Sequence, residues 1–206
     1  SLRANDVYTG RQLWKVSLPE LGEYYNRTYH QPGANALGTN FVATPETVYV
    51  VHESRCLKLD PATGQRQGEI VLPTEGGTPD KTTGWGYIAV QGDVIVAGAS
   101  PMFWGGKGKP GDSDNWDATS SRRILVLDRA SGKPLWQLES KCAFRHNAIC
   151  VSPSMLFCID RLPDPILQTM QRRGEEPVSK PALLALDLHT GRLIWRADAD
   201  VFGTWL

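Results

Sequence analysis

The chain has 206 residues, of which 41% are hydrophobic and 21% are charged. It is long enough for one or two domains and apolar enough to bury a core, which excludes a disordered chain. The 22 Lys and Arg residues balance the 22 Asp and Glu residues, which argues against a protein that binds nucleic acid through bulk charge.

Strand-sized apolar segments follow one another along the chain, separated by glycine, proline and polar residues. The pattern of residues 2–18 predicts two strands, which would be the outer two strands of a sheet. Three four-stranded units are predicted next, at 38–72, 84–138 and 146–196, and 201–206 predicts the first strand of another unit. No apolar run is long enough for a membrane span. One helix is predicted within 161–181, with Asp164 as its N-cap, Pro165 in its first turn and Gly174 as its end.

An internal repeat organises these strands. The segments 4–14 and 185–195 both read Ala-x-Asp-x-x-Thr-Gly-x-x-x-Trp. A third copy, 126–136, has Val in place of Ala and Ser in place of Thr, and a fourth, 58–68, has Gly68 where the others have Trp. The unit is about fifty residues with variable insertions, a period typical of propeller blades.

The Asp-x-x-Thr-Gly segment has the chemistry of a hairpin turn. The aspartate can accept hydrogen bonds from backbone N–H groups two or three residues on, and glycine supplies the positive φ that closes the loop. The strands before these turns are apolar on both faces, as in 183–186, so both faces must be buried against neighbouring elements. Blades packed side by side provide it, with the tryptophan as a wedge between them.

These repeats resemble the PQQ-like (quinoprotein-type) β-propeller family, which has an eleven-residue tryptophan-docking motif. The resemblance covers nearly the whole chain and implies an all-β propeller segment, a single domain of about three complete four-stranded antiparallel blades plus two partial ones. It implies that the docking residues are Trp14, Trp136 and Trp195, with the turn glycines Gly10, Gly64, Gly132 and Gly191. Gly68 departs from the motif, so one docking contact is expected to be missing or made in another way.

The partial blades leave open sheet edges, which soluble proteins normally cover. Flanking blades of a longer propeller, closure of a small ring by the two partial blades, and assembly of a second copy are the alternatives. No signal peptide is visible at the N-terminus.

In a propeller, the loops opposite the Thr-Gly turns share one face. The long insertions fall there, at 19–37, 73–83, 99–121 and 161–181, so a ligand or partner is expected on this loop-rich face. The residues expected at the channel mouth on that face are Asn40, Trp85, Tyr87, Arg145, His146, Asn147 and Trp205. Such donors, acceptors and aromatic rings suit a polar ligand such as a sugar or a peptide. Alternatively, they fill the mouth and bond to one another.

No catalytic residue, metal site or cofactor site is predicted from the motifs. Gly106–Gly111 fits Gly-x-Gly-x-x-Gly but no apolar helix follows it, and Trp116 stands where a calcium loop built on Asp112 and Asp114 requires an oxygen ligand. His146 has no second histidine at ligand spacing. The four cysteines form no Cys-x-x-Cys pair, and either buried thiols or a disulfide fit them.

The family resemblance implies both enzymes and scaffolds. Quinoprotein dehydrogenases of this family hold pyrroloquinoline quinone (PQQ) between a vicinal disulfide and a tryptophan, with calcium and an aspartate base. No two cysteines of this chain are adjacent. The sequence is therefore interpreted as a non-catalytic binding or scaffolding module of a larger bacterial protein, in the periplasm or at the cell surface, with a protein or small polar ligand as its partner. The alternative is a segment of a PQQ-dependent alcohol or sugar dehydrogenase that uses PQQ and calcium.

Overall fold

The chain is described by a computed structural model over residues 1–18, 40–52, 55–73, 84–102, 120–199 and 201. The strands, in chain order, are β1 (Leu2–Asn5), β2 (Gln12–Val16), β3 (Phe41–Ala43), β4 (Val48–His52), β5 (Arg55–Leu59), β6 (Arg66–Val71), β7 (Trp85–Gln91), β8 (Val94–Met102), β9 (Ser120–Asp128), β10 (Pro134–Val151), β11 (Met155–Asp160), β12 (Ala182–Asp187) and β13 (Leu193–Ala197). A helix, α1 (Asp164–Arg172), lies between β11 and β12.

The strands form three sheets in which neighbouring strands are antiparallel. Strands β1 and β2 form a hairpin, β3 to β6 form a four-stranded sheet, and β7 to β13 form a seven-stranded sheet in sequential order. We name the hairpin blade 1 and the four-stranded sheet blade 2. Blade 3 comprises β7, β8, β9 and residues 134–140 of β10, and blade 4 comprises residues 143–151 of β10 with β11 to β13. The prediction of an all-β chain of antiparallel blades is confirmed.

Strand β10 is 18 residues long because it serves two blades in succession. Its first part pairs with β9, with Trp136 opposite Val126, and its last part pairs with β11, with Cys150 opposite Phe157. The carboxylate of Asp160 accepts hydrogen bonds from the N–H groups of residues 141, 142 and 143, at 2.7, 2.9 and 2.9 Å. One buried carboxylate thus satisfies the backbone where the chain crosses from blade 3 to blade 4.

The core lies between the faces of adjacent blades. One buried cluster joins blades 2 and 3 and includes Tyr49, Ile70, Ile95 and Leu127. A second joins blades 3 and 4 and contains Val96, Val126, Phe144, Leu156 and Leu186, among others. Each central strand therefore buries side chains on both of its faces, which explains why the apolar runs show little alternation.

The helix differs by one residue at its start from the sequence prediction. Asp164 is its first residue, and the N-cap position is held by Pro163, which makes no side-chain capping bond. Asp164 instead accepts a hydrogen bond from the Arg161 guanidinium. Gly174 follows the helix at φ +69°. Within the described ranges, no helix is both long and apolar enough to cross a membrane.

Candidate functional site

The four Asp-x-x-Thr/Ser-Gly segments form hairpin turns of one design at one end of the blades. In blade 2, Asp60 Oδ1 accepts hydrogen bonds from the N–H groups of Ala62 and Thr63, both at 2.8 Å, and from the Thr63 hydroxyl at 3.0 Å. These bonds from Thr63 stabilise the carboxylate and lower the pKa of Asp60. The turn glycines have φ between +69° and +73°, as the turn chemistry predicts. We name this end of the molecule the turn face.

Two tryptophans pack on the turn of the following blade. The indole N–H of Trp14 donates to the carbonyl of Pro61, and that of Trp136 donates to Leu188, both at 2.8 Å. A Cβ atom added to Gly64 would lie 2.7 Å from the Trp14 ring, and one on Gly191 would lie 2.6 Å from the Trp136 ring. Glycine is therefore required beneath each indole for steric as well as conformational reasons.

Trp195 and Gly10 make no such contact with the described part of the chain. The Trp195 ring packs against Phe157 at 6.1 Å between centroids, and the residue is 43% exposed. A Cβ on Gly10 would meet nothing within 4 Å.

At the boundary between blades 2 and 3, no tryptophan of the described residues packs on the turn, as Gly68 indicated. Ile70 covers the turn glycine Gly132, 3.0 Å from an added Cβ. The Arg129 guanidinium reaches back across the boundary and donates to the Tyr49 hydroxyl at 2.9 Å, the Thr44 hydroxyl at 2.9 Å and the Glu46 carboxylate at 3.0 Å. It also lies over the Tyr49 ring, 5.7 Å from its centroid. Polar bonds thus replace the indole wedge.

A cleft of about 400 Å³ opens at this same boundary, on the turn face. Its walls come from the first turn of blade 2, strand β5 and two turns of blade 3. The lining residues are Glu46, Thr47, Tyr49, Lys58, Gly92, Asp93, Asp128, Arg129 and Ala130. The long insertions of the sequence predict a site on the opposite face, and no motif predicts this cleft. The available signal was the pair of substitutions in the 58–68 repeat, where Lys58 and Gly68 replace a small apolar residue and tryptophan.

The residues predicted at the channel mouth lie at the other end of the blades. Trp85, Arg145 and His146 are buried, at 1%, 0% and 3% exposure. Asn40, Tyr87 and Asn147 are partly buried, and Trp205 lies outside the described residues, as do Gly106–Gly111, Asp112, Asp114 and Trp116. The structure thus brings the blade 3 and blade 4 candidates together at the inner edge of their sheets.

His146 has a polar neighbour that the sequence analysis did not predict. The Ser121 hydroxyl and His146 Nε2 are 2.7 Å apart, and Ser121 is completely buried. A Cβ on Gly86 would lie 2.6 Å from Ser121 Oγ and 2.7 Å from His146 Cε1. The pair is therefore packed tightly, with Gly86 leaving just enough room for it.

Tyr87 also bonds across the boundary between blades 3 and 4, since its hydroxyl lies 3.5 Å from the Ile149 carbonyl. Burial raises the pKa of Tyr87 to about 12, with a smaller effect of Cys150. Within the described residues, the buried atoms Trp85 Nε1 and Asn147 Oδ1 find no hydrogen-bond partner. Leaving a buried donor or acceptor unpaired costs about 1–3 kcal/mol.

The four cysteines are free thiols. Cys56 and Cys158 are buried, and burial raises both pKa values, that of Cys56 to about 12. Cys142 is partly buried and Cys150 is exposed. Over the described ranges, no three His, Cys, Asp or Glu side chains are grouped in a way that could hold a metal ion.

Comparison with known proteins identifies the repeats. The family model described as "Outer membrane protein assembly factor BamB" matches residues 1–204. The fold is similar to that of quinohemoprotein alcohol dehydrogenase from Comamonas testosteroni, at 14% identity and a TM-score of 0.60 over 95% of this chain and 32% of that one. It is also similar to the quinohemoprotein alcohol dehydrogenase ADHIIG from Pseudomonas putida HK5, at 16% identity and a TM-score of 0.57 over 95% of this chain and 31% of that one. The chain thus spans about a third of the length of either dehydrogenase. No curated protein sequence matches it.

Proposed function

The chain belongs to the family of the outer membrane protein assembly factor BamB, and we propose that it is a binding and scaffolding module of a larger bacterial protein, without catalytic activity of its own. Its partner is a protein or a small polar ligand that binds on the loop-rich face. Its place of action is extracytoplasmic, in the periplasm or at the cell surface. The family match supports a role connected with the assembly of outer membrane proteins.

The observation that carries the proposal is the use of polar side chains at the channel mouth. Ser121 and His146 are hydrogen-bonded across the boundary between blades 3 and 4, as a hydrolytic pair would be, but Ser121 is completely buried and His146 is 3% exposed, so a substrate does not reach them. Gly86 closes over both, with the contacts of a packed interior rather than of a substrate pocket. These groups stabilise the blade boundary and make a rigid frame.

A rigid frame that presents loops is the usual architecture of a binding module. The helix α1 lies on the loop-rich face and exposes Gln168 and Gln171. Trp85 and Asn147, whose buried polar atoms find no partner among the described residues, lie on the first strands of blades 3 and 4. We propose that Asn40, Tyr87 and Trp205 contribute to the same ligand or partner surface and that the buried Arg145 supports it.

Site-specific photo-crosslinking tests the location of the partner. A photoreactive amino acid at position 168 or 171 is expected to give a discrete adduct with a component of outer membrane protein assembly when the chain is expressed in a bacterial periplasm. The matched control position is Thr190, which is exposed on the turn face. Equal adducts from position 190, or none from 168 and 171, would contradict a partner on the loop-rich face.

Quinone titration tests the absence of catalysis. The purified chain is titrated with pyrroloquinoline quinone and calcium while the quinone absorbance is followed, and dye-linked oxidation of alcohols and sugars is then measured. We expect no saturable spectral change and no oxidation. Stoichiometric quinone binding with turnover would overturn the proposal in favour of a quinoprotein dehydrogenase segment.

A further inference from the structure

The face of blade 4 that points away from blade 3 is apolar and partly exposed, and we name it the outer face. Residues directly opposite in neighbouring strands share a face of the sheet, and Phe157, Ala185 and Trp195 form one such row across β11, β12 and β13. The alternating residues of β11 and β12 point the other way and pack on blade 3. Trp195 is 43% exposed, and Leu193 and Ile194 beside it are 49% and 43% exposed. Large apolar side chains that are exposed together mark an interaction surface.

The equivalent face of blade 3 shows what such a surface binds. There the row is Val96, Val126 and Trp136, and blade 4 covers it. The turn glycine Gly191 lies beneath the Trp136 ring, and the indole N–H donates to the carbonyl of Leu188 at 2.8 Å. Blades 1 and 2 make the same pair of contacts. The occupant that fits the outer face of blade 4 is thus an Asp-x-x-Thr-Gly turn that has no indole packed on it.

The turn of blade 1 meets this requirement. Asp6 Oδ1 accepts hydrogen bonds from the N–H and the hydroxyl of Thr9, at 2.7 and 2.8 Å, so the turn is folded as in the other blades. Gly10 has φ +69°, the same as the turn glycine of blade 4. Of the four repeat-turn glycines, Gly10 alone would have nothing within 4 Å of an added Cβ among the described residues. Val7 and Tyr8 at the tip are 87% and 95% exposed, so another molecule can reach the turn.

The side of blade 1 that faces away from blade 2 carries a cation. Arg3 adjoins Ala4 on β1, so its side chain lies on the face of the hairpin opposite to that of Trp14. Leu125 and Leu184 hold the equivalent positions of blades 3 and 4, and each packs on the preceding blade. Arg3 is therefore placed to pack on whatever blade lies before blade 1.

Blade 4 has an aromatic ring where such a cation would lie. Phe157 holds the same position in its row as Tyr49 in blade 2. Tyr49 shares a buried cluster with Leu125, the counterpart of Arg3. The Tyr49 ring also has a cation from the next blade over it, since the Arg129 guanidinium lies 5.7 Å from its centroid. A guanidinium over an aromatic ring is a favourable contact, so the outer face of blade 4 and the free side of blade 1 are complementary.

We propose that the outer face of blade 4 binds blade 1 of a second copy of this chain. The Trp195 ring covers Gly10 of the second copy, and its indole N–H donates to the Val7 carbonyl. Arg3 of the second copy lies on the Phe157 ring. A contact between unlike surfaces produces either a closed ring or a filament. Two copies of four blades carry eight blades, within the usual range of about four to eight, so a closed dimer with two identical contacts is expected. This self-association goes beyond the partner on the loop-rich face and does not depend on it.

Sedimentation velocity tests the contact. The purified chain is expected to form a dimer as its concentration rises through the micromolar range. Gly10→Ala should weaken dimerisation at least about 25-fold, because each of the two contacts loses an indole hydrogen bond worth about five-fold. Gly174→Ala is the matched control, since Gly174 also has φ +69° with nothing within 4 Å of an added Cβ and lies after α1, and it should leave dimerisation unchanged. Below the micromolar range the chain is monomeric, so Gly10→Ala there changes only the stability of the single chain.

A charge variant tests the second contact. Arg3→Gln should weaken dimerisation about two- to five-fold for each contact, the strength of a cation on an aromatic ring. Arg172→Gln is its control, because Arg172 is exposed on α1, and should have no effect. Each variant must first show an unchanged far-UV circular dichroism spectrum.

Mixing two defective variants tests the head-to-tail arrangement. Trp195→Ala should dimerise as poorly as Gly10→Ala. In a mixed dimer of these two variants both defects fall in the same contact, and the other contact is intact. An equimolar mixture should therefore dimerise more strongly than either variant alone.

A monomer at every concentration, equal dimerisation of the Gly10→Ala and Gly174→Ala variants, or no gain on mixing would each overturn the proposal. Crosslinking from positions 168 and 171 reports on the loop-rich face and does not require self-association. The two proposals can therefore fail separately.

Discussion

Replacing Gly191 by alanine tests how tightly an indole packs on a turn. Gly10 and Gly191 have the same φ, +69°, but an added Cβ meets the Trp136 ring at 2.6 Å in one case and nothing within 4 Å in the other. Gly10→Ala therefore experiences only the backbone effect, about 1–2 kcal/mol for a left-handed alanine, partly offset by about 0.4–1 kcal/mol from the less flexible unfolded chain.

Gly191→Ala experiences the same backbone effect and must also displace the Trp136 ring. The indole N–H bond to Leu188, worth about 1 kcal/mol, is lost or weakened, and overpacking adds about 1–3 kcal/mol. We therefore expect Gly191→Ala to be less stable than Gly10→Ala by about 2–4 kcal/mol.

Guanidinium unfolding followed by far-UV circular dichroism measures both free energies of unfolding. The m-values must agree, so that the midpoints report stability alone. In a Trp136→Leu background the two glycine substitutions should have nearly equal effects, because the clashing ring is gone. A difference between the single variants below about 0.5 kcal/mol, within which surface substitutions usually fall, would refute the packing argument.

Three further predictions concern single groups. Asp160→Asn should lower the free energy of unfolding by about 2–4 kcal/mol, measured by denaturant titration. The amide of asparagine cannot accept hydrogen bonds from all three backbone N–H groups that donate to the carboxylate. An unchanged unfolding midpoint would contradict this role. Hydrogen bonds from Ser131 lower the pKa of Asp128 from 3.8, so the ionised carboxylate stabilises the fold fully above pH 3.8 and loses this effect as the pH falls through the lowered pKa. In the Asp128→Asn variant, the free energy of unfolding should therefore fall less steeply at acidic pH than in the parent protein. Parallel stability–pH curves for the two proteins would refute this. In the native protein, a thiol-specific chromogenic reagent should label the exposed Cys150 first. Cys56 and Cys158 should stay unmodified until denaturant is added, because burial raises the pKa of both thiols. Fast labelling of all four cysteines in the native protein would contradict this.

The repeat made the fold predictable. An Asp and a Gly at fixed spacing impose one turn geometry wherever they occur, so four copies locate four hairpins without any knowledge of tertiary structure. The predicted N-cap is one residue later than the observed one. The Asp164 side chain accepts a hydrogen bond from Arg161 and does not cap the backbone.

The site was less predictable because it depends on contacts between distant residues. The Ser121–His146 pair spans 25 residues and two blades, and Ser121 has no sequence signal beyond its position at the start of a strand. Gly68 was recognised as a departure from the motif, but Arg129 could not be identified as its replacement, because its partners Tyr49 and Thr44 are 80 and 85 residues away. Periodicity locates elements, whereas the pairing of side chains across a boundary requires coordinates.

The 18-residue strand β10 makes the molecule mechanically uneven. Blades 3 and 4 share one sheet through β10, although the register shifts where the chain crosses between them. Blades 1 and 2, in contrast, contact their neighbours through side chains such as Trp14 and Arg129. Load that pulls the blades apart would therefore separate the boundaries between blades 1, 2 and 3 first and leave the seven-stranded sheet as one body. Amide exchange should follow the same division, with protection in β7 to β13 lost as a single cooperative unit.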